Sequence, residues 1–102
     1  MKIPEKIRIG GREYKVQNVP NLRNGADLCY GLICWEDGTI ALSETDVLSH
    51  DMACITLWHE ILHGIINHAA FQVEEEEQLV EVLSKGIYQV LQDNEGRLFP
   101  HD

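Results

Sequence analysis

In the stretch LWHEILHGIINH, residues 57 to 68, two early histidines and a glutamate interrupt a run that is otherwise almost wholly apolar. His59 and His63 are four residues apart, so on a helix they lie one turn apart on one face and their imidazoles can converge on a single cation. Glu60 projects about 100° round the axis from His59, within reach of a water held by that cation but without ligating it. A Zn²⁺ ion lowers the pKa of such a water toward about 7, and the carboxylate takes the proton as the water attacks a polarised carbonyl. The competing reading is a pair of core histidines satisfied by hydrogen bonds. Against it, the flanks Leu57, Trp58, Ile61, Leu62, Ile65 and Ile66 would make an unpaired, ionised Glu60 costly, on the order of several kcal/mol. Metal binding gives the three polar groups one shared task.

A catalytic zinc usually has three protein ligands and an open position. His68 lies five residues after His63 and leaves the shared face, so it is expected to be a solvated histidine near the helix end. A metzincin needs Gly three residues and His six residues after the second ligand, where this chain has Ile66 and Ala69, which excludes that class. The remaining donors are acidic, in EEEEQLVEVLS. Glu77 and Glu81 are spaced i, i+4, and with Ser84 and Tyr88 they flank the apolar residues of a second predicted helix. If that helix packs on the first, Glu77 can ligate while Glu81 accepts a hydrogen bond from a ligand imidazole and fixes its tautomer. Glu76 is the alternative third ligand. Glu74 and Glu75 read as solvated charges in a helix's first turn.

The elements that must position these groups are legible upstream. KIRIGGREYKV alternates apolar and polar residues on both sides of Gly10-Gly11, a β-hairpin pattern, and GLICWEDGTIALS reads as a second hairpin with a two-residue turn at Asp37-Gly38. Between them, NVPNLRNGADLCYG reads as an irregular segment with room for one short helical turn. Ser49 or Asp51 can cap a first helix running to about residue 67, apolar on nearly every face and therefore central. A second helix over about 74 to 93 shows Leu79, Val80, Leu83, Ile87, Val90 and Leu91 as one inward stripe, with Gly96 and Pro100 marking its end. Strands followed by two helices predict an α+β fold.

The chain of 102 residues is sized for a single small domain, 1–102. Eight Lys plus Arg against 17 Asp plus Glu give a formal charge of −9, which repels phosphate backbones and anionic membranes, so neither nucleic acid nor membrane is an expected partner. Lys2, Lys6, Arg8, Arg12 and Lys15 read as solvated strand and turn residues. No secretory signal or membrane-length apolar run is present, and three cysteines without a Cys-x-x-Cys pair read as reduced, partly buried thiols; both features point to the cytoplasm.

Taken together, LWHEILHGI and EEQLVEVLSKGIYQVLQDN resemble a gluzincin-type zinc metallopeptidase in miniature, in particular the small phage and prophage proteins related to the ImmA/IrrE peptidases. The usual HELGH form has Gly where this chain has Leu62. The resemblance implies a zincin-like fold, Zn²⁺ on His59, His63 and Glu77, Glu60 as general base, and a protein or peptide substrate such as a phage regulator. It further implies that the hairpin 31 to 43 serves as a shelf for extended peptide. Two imidazoles and a carboxylate favour Zn²⁺ over Fe²⁺ or Mn²⁺. The alternative of a different class is a non-catalytic, zincin-derived interaction module with a structural metal.

Overall fold

The computed structural model describes residues 1–45 and 48–98. Strand β1 (Lys6–Ile9) turns into β2 (Arg12–Pro20) across Gly10 and Gly11, whose φ of 60° and 80° meet the demand of a tight hairpin turn for positive φ. The expected irregular segment contains no helical turn. It forms a two-stranded ribbon instead, β3 (Arg23–Asn24) and β4 (Asp27–Leu28), closed at Gly25 and by an Arg23 Nη1 bond to the Ala26 carbonyl at 2.9 Å. Strands β5 (Gly31–Cys34) and β6 (Thr39–Glu44) form the second hairpin. Its loop has four residues rather than two, because Cys34 pairs with Thr39 and the Gly38 amide returns to the Cys34 carbonyl at 3.1 Å. Trp35 and Glu36 are thereby released from the sheet.

The two hairpins join into one sheet of order β1-β2-β6-β5, with β2 and β6 running parallel from Lys15↔Thr39 to Pro20↔Glu44. Strand β5 is left at the edge. Helix α1 (His50–Ala69) lies against this sheet, starting at Ser49, whose side chain accepts the Met52 amide at 3.2 Å, and ending at Ala70 with φ 53°. Leu57 and Ile61 from α1 meet Ile9, Tyr14, Ile40 and Leu42 from the sheet in one buried cluster. Each such fully buried aliphatic side chain stabilises the fold by about 1.5–3 kcal/mol. Two glycines permit the close approach of β5. A Cβ on Gly31 would lie 2.5 Å from Thr56 Cγ2, and one on Gly64 would lie 3.2 Å from Ile33 Cδ1. His68 is not merely solvated: its Nε2 lies 2.8 Å from the hydroxyl of buried Tyr14, which ties the end of α1 to the first hairpin.

Helix α2 (Glu76–Asp93) starts two residues later than its sequence pattern suggests, because Glu75 sits in the left-handed region at φ 56° and cannot continue a helix backwards. Pro100 lies outside the described residues. The helix packs antiparallel on α1: Tyr88 reaches Asp51 at one end, and Glu81 and Glu76 reach His59 and His63 toward the other. Its rotational setting corrects the expected stripe. Val80, Ser84 and Tyr88 are buried, whereas Leu79, Val82, Leu83 and Val90 are exposed, Val82 by 69%. The architecture is α+β in a zincin-like arrangement, hairpins first and two packed helices after.

The inward face of α2 can be tested by denaturation. Val80→Asp is expected to lower the urea midpoint severely, a loss of about 3 kcal/mol or more, while Leu83→Glu changes stability by no more than about 0.5 kcal/mol. Equal effects would place the wrong face against α1.

Candidate metal centre

His59 and His63 follow each other by one turn on α1, and both are largely shielded by α2. Their Nε2 atoms face each other at 3.2 Å. Glu77, in the first turn of α2, reaches both, with Oε1 2.7 Å from His59 Nε2 and Oε2 2.9 Å from His63 Nε2. One donor atom from each of the three residues lies within 4.8 Å of the others. A tetrahedral ion about 2.0–2.1 Å from two imidazole nitrogens separates them by about 3.3 Å, close to the spacing seen, so the donor set fits Zn²⁺ in kind and in distance. The Glu77 side chain is 73% exposed, which leaves the cluster open to solvent on that side.

The far ring nitrogens are also held. Glu81 Oε2 lies 3.3 Å from His59 Nδ1, and Glu76 Oε2 lies 2.6 Å from His63 Nδ1. A carboxylate at Nδ1 favours the tautomer with its proton there, leaving the Nε2 lone pair free for a cation. Glu76, the alternative third ligand in the sequence, therefore takes a different place: it supports His63 as Glu81 supports His59. A signal for this existed. If Glu81 meets His59 on antiparallel helices, the residues about one turn earlier on α2 must lie opposite His63, and Glu76 stands beside Glu77 there. Lys85 Nζ binds Glu81 at 2.9 Å and is the main reason its carboxyl is held below the ordinary range.

Glu60 is only 7% exposed. Burial raises its carboxyl above the ordinary value; the two imidazoles oppose this, Glu77 reinforces it, and a bond from the Ile33 backbone amide opposes it weakly. That amide belongs to edge strand β5, so Glu60 is pinned between α1 and the edge. Four carboxylates thus surround two imidazoles, an excess of negative charge that a divalent cation would offset.

An open cavity flanks the cluster on each side. One, of about 800 Å³, is lined by Trp35, His63, Ile66, Phe71, Glu74 and Glu76 among others; the other, of about 260 Å³, by Tyr30, Gly31, Met52, His59, Glu60 and Lys85 among others. Strand β5 runs between them, from Gly31 at the smaller to just before Trp35 at the larger. Tyr88 is not part of this site. It donates to Asp51 Oδ1 at 2.6 Å, about 10 Å along α2 from Glu81, as a core tyrosine. Cys29, Cys34 and Cys54 are unpaired, and burial pushes the Cys54 thiol up, away from reactivity. No helix among the described residues is long and apolar enough to cross a membrane. The chain matches no protein-family model, no curated protein and no solved structure.

Elemental analysis of untagged protein purified without chelator is expected to find about one zinc per chain, lost in His63→Ala, and Glu76→Gln is expected to weaken zinc affinity about 10- to 100-fold. Full zinc retention by His63→Ala would remove the cluster as the binding place. In metal-free protein, a Glu60 carboxyl raised on folding favours the folded state at low pH and loses that benefit as pH rises through its folded value. Glu60→Gln should therefore raise the thermal midpoint at neutral pH, with the gain shrinking as pH falls toward about 4.3. A gain independent of pH would mean that folding does not raise the Glu60 carboxyl.

Proposed function

We propose that residues 1–102 form one minimal zincin-like domain that hydrolyses peptide bonds with Zn²⁺ held by His59, His63 and Glu77. The observation that carries this reading is Glu60, a buried carboxylate beside the converging imidazoles. A site that merely held a metal would need the other three residues and would gain nothing from an acid whose burial costs stability. The non-catalytic interaction module is therefore the second choice.

When bound, Zn²⁺ supplies Lewis acidity, polarising the scissile carbonyl and acidifying water. The protein's own groups do the rest. Glu81 and Glu76 keep protons on the Nδ1 atoms of His59 and His63, so that both Nε2 atoms point inward as neutral donors. Glu60, its proton affinity raised by burial, accepts a proton from the attacking water and can return it to the departing amide nitrogen. Strand β5 lies at the sheet edge with its Ile33 amide taken by Glu60, and an extended peptide can add along the rest of that edge as a further strand and pass over the cluster. The likeness to small phage and prophage peptidases directs the proposal to a cytoplasmic protein substrate such as a phage regulator.

Zinc-loaded wild type and Glu60→Gln, compared on an unfolded protein mixture by mass spectrometry, test the reaction. The variant is expected to keep its zinc and lose about 10²–10⁴-fold in cleavage rate. Cleavage by both proteins alike would point to a contaminant, and cleavage by neither would leave the interaction module.

A further inference from the structure

We propose that the larger cavity is a specificity pocket for an arginine, or less strongly a lysine, side chain of the bound peptide. The assignment deepens the peptidase reading and rests on it for the statement that cleavage follows binding. Trp35, freed from strand pairing in the four-residue loop of the second hairpin, forms one wall, and Ile66, Ala70, Phe71 and Val73 form the rest of the apolar lining. Phe71 is 70% exposed, unusual for a phenylalanine with no surface to cover. The rim is acidic. Glu76 is engaged by His63, but Glu74 has no hydrogen bond or ion pair among the described residues and stands free at the cavity mouth.

An apolar wall ending in an unpaired carboxylate suits an amphipathic side chain, with an aliphatic stem against the wall and a cation at the rim. Arginine fits better than lysine because its planar guanidinium can stack on the Trp35 or Phe71 ring and meet the Glu74 carboxylate through two parallel bonds. No Lys or Arg lines this cavity to compete for Glu74, whereas in the smaller cavity across the cluster Glu81 is already bound by Lys85 and Glu60 is buried. A peptide lying on β5 places a side chain in the larger cavity close to His63, hence next to the bond over the cluster.

The test has a binding arm and a cleavage arm. In the first, zinc-loaded Glu60→Gln is titrated with short capped peptides of alternating alanine and threonine carrying one central Arg, Gln or Glu. The Arg peptide is expected to bind about fivefold more tightly than Gln and more tightly still than Glu, with the order lost or reversed once Glu74→Lys is added. Glu74 is exposed and supports no contact in the fold, so Glu74→Lys should retain its zinc and thermal midpoint. In the second arm, cleavage sites made by zinc-loaded wild type in an unfolded protein mixture should be enriched for Arg or Lys adjacent to the broken bond. Cleavage without such enrichment, or enrichment unchanged by Glu74→Lys, overturns the pocket and leaves the peptidase. Arg-ranked, Glu74-dependent binding without cleavage keeps the pocket and overturns the peptidase. Neither binding preference nor cleavage overturns both.

Discussion

The contacts between His59 and His63 on α1 and three glutamates on α2 are the interaction on which the helix pair depends. They face Glu76, Glu77 and Glu81 toward α1, although α2 has a well-developed apolar stripe that would ordinarily seek the interior. Val80, Ser84 and Tyr88 are buried beside these glutamates, and Ile87 and Leu91 are half-buried. Leu79, Val82, Leu83 and Val90 are left in solvent by that choice. An imidazole–carboxylate cluster is weaker glue than packed leucines, so the arrangement gives up apolar burial to bring donors together.

A second constraint follows from the first. For Glu60 to sit beside the converging Nε2 atoms it must leave water, and the fold receives it between α1 and the edge of the sheet, where the Ile33 amide is its backbone partner. That approach requires Gly31, where a Cβ would meet Thr56 at 2.5 Å, and is eased by Gly64, where a Cβ would lie 3.1–3.3 Å from the side-chain ends of Ile9 and Ile33. The same lack of a side chain at Gly31 sets the strand edge close to the candidate metal cluster. Glu60, edge strand and helix are therefore one packing problem.

The helix connector 70–75 is bounded by non-glycine residues in the left-handed region, Ala70 and Glu75. Such a conformation costs about 1–2 kcal/mol per residue. Its effect is to end α1 sharply and begin α2 so that Glu76 and Glu77 meet His63 immediately. The same connector lines one side of the larger cavity, which links helix geometry to the shape of the cleft.

Much of this was legible in the order of residues. The i, i+4 spacing of His59 and His63, with Glu60 between, determines on any helix which groups can converge, because that geometry is local. Gly10-Gly11 marks a hairpin for the same reason, and Glu77 and Glu81 share a face of α2 whatever it packs on. What only the tertiary structure decided is which faces find partners. Periodicity marked the Leu79–Leu83–Val90 stripe as buried, but it could not weigh that stripe against carboxylates drawn to two imidazoles. Glu76 as the support of His63, the Tyr14–His68 tie and the parallel pairing of β2 with β6 join residues 13 to 54 positions apart or strands from different hairpins. Local propensity carries no information at that range, and the packing of the whole chain settles such pairings.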